Sequence, residues 1–396
     1  MAVPRLAIVS THPIQYYAPV FRALTTERLV EPRVFYTWSQ TEHGAVYDPG
    51  FGCRIAWDVP LLDGYASEFV PNVAARPGIG FLGIRTPSLP ARIAAWQADA
   101  ILVYGWNNAS HLGVMRHFKG RVPVLFRGDS TLLDPQPAWR QLARLALLRG
   151  VYRYVDAAIA VGENSRDYFR AAGVPEDRIA IAPHSVDNER FADRDGAAAR
   201  HAADWRRALG IEPDAVVLGF AGKLLPKKAP ELLLEAFLAA GAPGHLVLTG
   251  DGVLDGALRD RAAGRRNVHF LPFQNQSLMP SVYRICDLFI LPSRGPGETW
   301  GLALNEAMAS GRAVAATARV GGARDLIRQD IDGWVVAPDS SAALCRLIER
   351  AATAGRARLA AMGEGAQRRI AAWSTAESAR RIAAAVVELA LPARAA

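Results

Sequence analysis

Two series of short apolar runs, each run set apart from the next by a helix-like stretch, constrain this chain more than anything else in it. RLAIVS (5–10), PRVFYT (32–37), AILVYG (100–105), VPVLFR (122–127), AAIAVG (157–162) and RIAIAP (178–183) make the first series. AVVLGFAG (215–222), HLVLTG (245–250), VHFLPF (268–273), LFILPS (288–293), RAVAAT (312–317) and GWVVAP (333–338) make the second. Runs of about four to eight residues rich in Val, Ile and Phe read as buried strands. Amphipathic segments such as PAWRQLARLALLRGVYRYV (137–155) lie between several of them. Strands separated by helices imply parallel sheets with right-handed crossovers.

The length agrees, because 396 residues exceed one ordinary core. The segment DNERFADRDGAAARHAADWRRALGIEPD (187–214) is polar, charged and poor in strand signal, which places the domain junction there. The expected division is an N-terminal domain over 1–186, a linker region over 187–214 and a C-terminal domain over 215–375. A last helical segment, 376–396, could pack back on the first domain. Both domains should be doubly wound α/β units, which bind ligands at the carboxyl ends of their strands; two of them facing each other would enclose a cleft.

Composition removes several function classes. No stretch approaches about 18 uncharged apolar residues, so no transmembrane helix is expected. The apolar run in MAVPRLAIVSTHP reads as a first strand, because a signal peptide needs a longer apolar core and a small-residue cleavage site. Cys53, Cys286 and Cys345 are odd in number and far apart, against a disulfide framework or a zinc site, and a reducing cytoplasm is the expectation. The net charge of +8 comes without zinc-finger spacing, an RNP motif or a dense basic tract, so no nucleic-acid partner is expected. A solvated basic surface accounts for it, with attraction to anionic lipid or phosphorylated small molecules as the alternative.

Chemistry concentrates in the second half. In FAGKLLPKKAPELLLEAF (220–237) a strand ends at Gly222, and the following loop brings Lys223, Lys227 and Lys228 before a helix near Pro230. Ammonium groups there are either solvated or a clamp for a diphosphate. Gly250-Asp-Gly252 resembles part of a dinucleotide fingerprint, yet Gly256 falls one residue late, so NAD binding is poorly supported. In LPSRGPGETWGLALNEAMASG a loop bearing Glu298 leads to a helix starting near Gly301 and stopping at Gly311, with Glu306 just over one turn inside. Five helical residues rise about 7.5 Å, so the two carboxylates should lie roughly 10 Å or more apart. That is wide for a retaining glycosidase pair (about 5–5.5 Å) and at or beyond the inverting range of about 6.5–9.5 Å. It suits the two ends of a sugar nucleotide, the diphosphate over the helix terminus between them. An exposed, dipole-favoured helix face is the alternative.

The order GKLLPKKAPELLLEAF, LVLTGDG, GETWGLALNEAMASGRAVAATARVGGARDLI and DGWVVAPD closely resembles glycosyltransferase family 4, of the retaining GT-B type, over about residues 157–340. The resemblance implies a GT-B fold of two facing Rossmann-like domains, the first taking an acceptor and the second a nucleotide-diphosphate sugar. The family's Glu-seven-Glu signature lands on Glu298 and Glu306, with Gly301 in the middle glycine position. Glu306 would hold the ribose hydroxyls and Glu298 the donor sugar. Backbone around Trp300, Gly301 and Leu302 would receive the distal phosphate or sugar, beside Gly222. The phosphate pair lands on Lys223 and Lys228, lysine replacing the usual arginine, so bidentate contact is lost while the charge remains. The base would be read near Pro272 and Phe273, uridine being commonest in the family. Departure and attack on one face need no covalent enzyme nucleophile, cofactor or divalent metal. The Asp-x-Asp strings at Asp193/Asp195 and Asp330/Asp332 are read as chance.

The first half departs from the family pattern. Where a Gly-Gly loop usually follows the first strand, THPIQYYAP offers His12, Gln15 and Tyr16 as acceptor-side candidates. In place of a histidine near residue 126 stand Arg127, a further acceptor-side candidate, and Asp129, a candidate catalytic partner; WNNASH (106–111) has no assigned role. In AWRQLARLALLRGVYRYV (138–155), core packing with a basic solvated edge is the first reading. An interfacial helix on an anionic membrane is the second, and would suit a lipid-linked acceptor at the inner face. The implied activity is sugar transfer to a hydroxyl acceptor in bacterial surface polysaccharide, glycolipid or related glycoconjugate synthesis. The alternatives are a GT-B-like epimerase or phosphorylase, or a catalytically silent nucleotide-sugar binding protein.

Overall fold

All of the expected strands form, and three short ones join them. The computed structural model describes residues 3–42, 46–48, 50–78 and 80–390. In chain order the first strands are β1 (Arg5–Ser10), β2 (Glu31–Tyr36), β3 (Val46–Asp48), β4 (Cys53–Ile55) and β5 (Ala66–Phe69). They are followed by β6 (Ala100–Tyr104), β7 (Val124–Gly128), β8 (Ala157–Ala160) and β9 (Ile179–Ile181). Then come β10 (Val217–Ala221), β11 (His245–Thr249), β12 (Val268–Leu271), β13 (Leu288–Leu291), β14 (Ala313–Thr317) and β15 (Gly333–Val336).

The chain divides into two compact units, one of Met1–Ala45, Pro60–His184 and Thr375–Ala396, the other of Val46–Val59 and Ser185–Ser374. The first unit holds a parallel sheet of order β5-β2-β1-β6-β7-β8-β9. The second holds a parallel sheet of order β12-β11-β10-β13-β14-β15. Each sheet winds outward in both directions from its first strand. The crevice beside β1 and β6, and that beside β10 and β13, are therefore where loops part and a ligand can enter.

Both faces of each sheet are covered, so the central strands are apolar throughout: Leu6 to Val9 and Ala100 to Val103 are 0% exposed. One face of the first sheet is covered by the helix Ala18–Thr26 and by the late helix Thr375–Ala385. Ala379, Ile382 and Val386 share a buried cluster with Phe21 and Leu24, so the last helix belongs to the core of the first unit. Of the expected segment 376–396, residues 391–396 lie outside the described residues.

The stretch 187–214, expected from its polarity as the linker region, holds two helices of the second unit, Asn188–Ala192 and Ala197–Ala208. Its charges are used internally. Asp187 caps the first helix, Asp193 pairs with Arg284 at 3.2 Å, and Arg206 reaches Asp287 at 3.5 Å and the Ala215 carbonyl at 2.6 Å. The Asp-x-Asp strings are structural in the same way. Asp193 also accepts the amides of Ala198 and Ala199. Asp332, fully buried, pairs with Arg328 at 2.7 Å.

Candidate functional site

In the second unit the loops after β10 and β13 bring the lysines and the glutamates to one end of the sheet. Lys228 Nζ lies 2.5 Å from Glu298 Oε2, and both side chains are largely buried. Ser293, two residues past β13, donates its hydroxyl to the same Glu298 oxygen at 2.9 Å. A desolvated carboxylate needs such partners, and here a cation and a hydroxyl supply them. The Glu298 carbonyl accepts the Gly321 amide at 3.0 Å, which ties the loop to the turn after β14.

The helix that follows runs Leu302–Ala309, with Gly301 in left-handed conformation at φ +88° as its cap. A Cβ at Gly301 would stand 2.5 Å from Val320 Cγ1 and 2.9 Å from Leu291 Cδ2, so the chain turns here only without a side chain. Leu302 is thus the first helical residue. Trp300 is 3% exposed and donates its indole N–H to Asn305 at 2.8 Å, fixing the loop against the helix it precedes. Glu306 is 2% exposed and accepts the Tyr283 hydroxyl at 2.5 Å. The alternative of an exposed helix face does not hold, since Leu304 to Ala309 are all buried.

Lys223 follows Gly222 at the end of β10, and its ammonium meets both oxygens of Asp48, at 2.8 and 2.7 Å. Asp48 ends β3, half of a hairpin that precedes the second unit in sequence by far yet belongs to it. Phe51, in the hairpin turn, puts its ring 5.0 Å from Lys223 Nζ and 4.7 Å from the ring of Phe273. Burial works to raise the Asp48 carboxyl, but hydrogen bonds from Lys223 and from the Gly50 and Phe51 amides hold it below its ordinary value. Further on, Asn275 donates to the Ala56 carbonyl and Ser277 N–H to Asp58, which pins the hairpin's outgoing strand.

Pro272 is exposed after β12, while the Phe273 amide reaches Asp251 at 3.3 Å. Gly250 precedes that aspartate, and the Gly222 carbonyl lies 2.0 Å from where its Cβ would be. The Gly-Asp-Gly run thus lets two loops touch, and needs no dinucleotide to explain it.

The first unit has a cavity of about 240 Å³ at the carboxyl ends of β1, β6 and β7. Of the residues expected on this side, His12, Arg127 and Asp129 line it; Gln15 and Tyr16 do not, and Tyr17 does. Arg127 is 5% exposed and its guanidinium donates to the Ala182 and Pro183 carbonyls at 2.9 and 3.2 Å, which holds the turn carrying His184. Tyr17 stacks on His184 with centroids 6.1 Å apart. Burial pushes the His184 imidazole down to about 4, with Arg127 adding to the effect and Asp129 opposing it. His12 is lowered by burial as well, and Thr11 hydroxyl meets its Nδ1 at 2.9 Å. Both imidazoles are therefore neutral near pH 7, in a cavity that Asn107, Asn108 and Tyr104 also line, with Ile14, Trp38 and Ile84 among its apolar walls. Such a set offers hydrogen bonds to a hydroxyl-rich molecule.

WNNASH proves mostly structural. Asn108 caps the helix Ala109–Phe118 by accepting the His111 amide at 3.0 Å. His111 is fully buried between the Gly105 carbonyl at 2.8 Å and the Thr37 hydroxyl at 2.9 Å.

Sequence reasoning missed Ser293, Tyr283, Asp48 and Phe51 in the second unit and Tyr17, Trp38 and His184 in the first. The signal that could have found Ser293 and His184 is position, since Ser293 is the last residue of one expected strand and His184 directly follows another. Tyr283 and Asp48 carry no such mark.

A model of the glycosyl transferases of group 1 matches residues 202–369, and one of glycosyltransferase family 4 matches residues 30–190. A D-inositol 3-phosphate glycosyltransferase of Geodermatophilus obscurus is 30% identical over 350 residues, covering 80% of this chain and 74% of that one. One of the same name from Thermomonospora curvata is 32% identical over 243 residues, which is 57% of this chain and about half, 54%, of the relative's length. The crystal structure of Anabaena HepE in complex with UDP and glucose superposes with a TM-score of 0.70 at 20% identity, over 98% of this chain and 100% of that one. With its two parallel Rossmann-like sheets, the chain has the GT-B fold and belongs to glycosyltransferase family 4, the glycosyl transferases of group 1.

Proposed function

We propose that the protein is a retaining glycosyltransferase that moves a sugar from a nucleotide-diphosphate sugar to a hydroxyl acceptor. The observation that carries the reading is the contact of Lys228 with Glu298, 2.5 Å, one short loop before the helix that buries Glu306. A cation for the leaving diphosphate and a carboxylate for the sugar are thereby adjacent, and a second carboxylate stands further along for the ribose. Lys223, at the same sheet end, is the second phosphate cation. One unit-charge contact at about 4 Å is worth about 4 kcal/mol at an effective dielectric near 20, before desolvation. Two lysines and a helix start are then the proposed main source of leaving-group stabilisation, each lysine sharing its charge with a carboxylate, Lys223 with Asp48 and Lys228 with Glu298. No protein nucleophile and no divalent metal enters this reading. The base is read near Pro272 and Phe273, and uridine is favoured because the HepE relative was solved with UDP.

The acceptor side is the cavity of the first unit, with His12 and Asp129 facing the hydroxyl. Its size, about 240 Å³, suits one sugar-like polyol rather than a long oligosaccharide. The acceptor class is a lipid-linked glycan or another hydroxyl compound of surface polysaccharide or glycolipid synthesis, met on the cytoplasmic face of a membrane. D-inositol 3-phosphate is a second acceptor to assay, because the curated relatives carry that name.

Calorimetric titration with UDP, GDP and ADP tests the donor side. UDP should bind, Glu306→Ala should weaken that binding about tenfold or more, the loss of one charge-assisted hydrogen-bond set, and Lys228→Ala should mainly lower kcat. Absence of binding by any nucleoside diphosphate would overturn the reading. Unchanged kinetics in both variants would overturn the residue roles.

A further inference from the structure

The helix Ala138–Tyr152 packs on one side only. Leu148, Val151 and Tyr152 are buried, whereas Trp139, Leu142 and Leu147 are 67%, 68% and 60% exposed. At about 3.6 residues per turn, Trp139, Leu142, Ala143, Ala146 and Leu147 share one sector, turned away from Leu148. Ala143 and Ala146 are exposed too. Single exposed apolar residues are ordinary, but a continuous apolar face is a contact surface. The core face expected from sequence exists, and the helix also carries a second, apolar, solvent-facing one.

The charge around this face has one sign. Arg140 flanks it on one side and Arg149 on the other, Arg153 closes its C-terminal end, and all three are exposed. No Asp or Glu occurs from 138 to 155. Arg140 lies over the Trp139 ring at 5.1 Å, so ring and guanidinium present together. On the Arg149 flank a separate cavity of about 240 Å³ is lined by Lys119, Arg149, Arg153 and Arg178, with Asp156 the one carboxylate. Asp156 is taken up by Lys119. The cavity is therefore cationic, and of a size for a phosphate headgroup.

These observations select the occupant. A second copy docking the same face on itself would bring arginines against arginines with no acid between them, which is unfavourable. The 15-residue helix is about 22 Å long and could not span a bilayer core of about 30 Å; no described helix is long and apolar enough to cross a membrane. An apolar face edged by arginine is what lies in the plane of an anionic lipid interface.

We propose that the helix Ala138–Tyr152 seats the protein on an anionic phospholipid surface. Trp139, Leu142 and Leu147 enter the acyl boundary, and Arg140, Arg149 and Arg153 meet headgroup phosphates, with the cationic cavity taking one headgroup. This deepens the reading of a lipid-linked acceptor, because it gives the surface on which such an acceptor is presented, but its test does not use that acceptor.

The full chain is floated with vesicles of phosphatidylcholine alone or mixed with phosphatidylglycerol. Expected is flotation with the mixed vesicles only, reversed at about 1 M salt, where screening shortens to about 3 Å. Trp139→Glu/Leu142→Glu, which puts two carboxylates at the acyl boundary, and, separately, Arg149→Glu/Arg153→Glu, at about 1 kcal/mol per basic residue, should each cut partitioning at least tenfold. Should the first pair misfold by thermal melting, Leu147→Gln alone serves in its place. Absence of flotation, equal flotation with uncharged vesicles, or wild-type flotation by both pairs would overturn the proposal. So would light scattering that shows a dimer dissolved by the first pair. UDP titration in the same preparations separates the two ideas: intact UDP binding without flotation sinks only the membrane surface, and flotation without UDP binding sinks only the donor reading.

Discussion

Gly301 has no side chain, yet it decides where two carboxylates stand. Its positive φ aims the chain from the Glu298 loop into the helix of Glu306, and Val320 and Leu291 close the space a Cβ would need. Gly301→Ala should cost about 1–3 kcal/mol from strain and overpacking, read as a lower Tm, and should weaken nucleotide binding, read by titration. An unchanged Tm would mean that the turn has another way round. At this scale the sequence was partly legible. The spacing of Glu298 and Glu306 and the strand-end position of the lysines marked them as a group. That Lys228 touches Glu298, that Ser293 shares the carboxylate and that Tyr283 meets Glu306 could not be read, because each pairing joins loops that only the sheet order brings together.

At the scale of elements, strands buried on both faces announced themselves as apolar runs, whereas the hairpin β3–β4 did not. Its strands are three residues each, divided by Pro49, Gly50 and Gly52, and no alternation can show in so short a run. What holds it is tertiary: the Asp48–Lys223 pair, the Phe51–Phe273 contact and the Asp58 bond. The pair has a pH signature. The folded Asp48 carboxyl lies below its ordinary value, so its contribution is complete above the unfolded value of about 3.9. It is lost as pH falls through the folded value. Amides of Gly50 and Phe51, which donate to Asp48, should lose hydrogen-exchange protection in that acid range and not at pH 6. Asp48→Asn should abolish this pH dependence; its persistence would assign the protection to other bonds.

At the scale of the whole molecule, acid should test the two units unequally. His111 and His184 are both pushed down to about 4, His111 by burial against opposing backbone bonds. An unfolded imidazole takes its proton near pH 6.5. Between about 6.5 and 4 the unfolded chain thus binds more protons, and stability falls as pH falls, by up to about 3 kcal/mol for each buried histidine. Both sit in the first unit. Calorimetry should show that unit losing Tm steeply from pH 7 to 4.5, and His111→Gln should flatten the slope; parallel behaviour of wild type and variant would refute the assignment. The two-sheet plan was legible because helices between apolar runs leave parallel sheets as the outcome. Which segments complete each unit was not, since polarity at 187–214 marked ion-paired helices as if they were solvated chain.

The division of the chain has a consequence for how such a molecule can be cut or recombined. The hairpin of 46–59 sits within the second unit, and the helix Thr375–Ala385 returns to fill the core of the first. The units are laced, not strung. A single break at 184 would leave the first without Ile382 and Val386 against Phe21, and the second without the carboxylate that holds Lys223. Neither half is a heritable module by itself, so an exchange of donor specificity between relatives by swapping one contiguous half would have to carry both of these short segments with it.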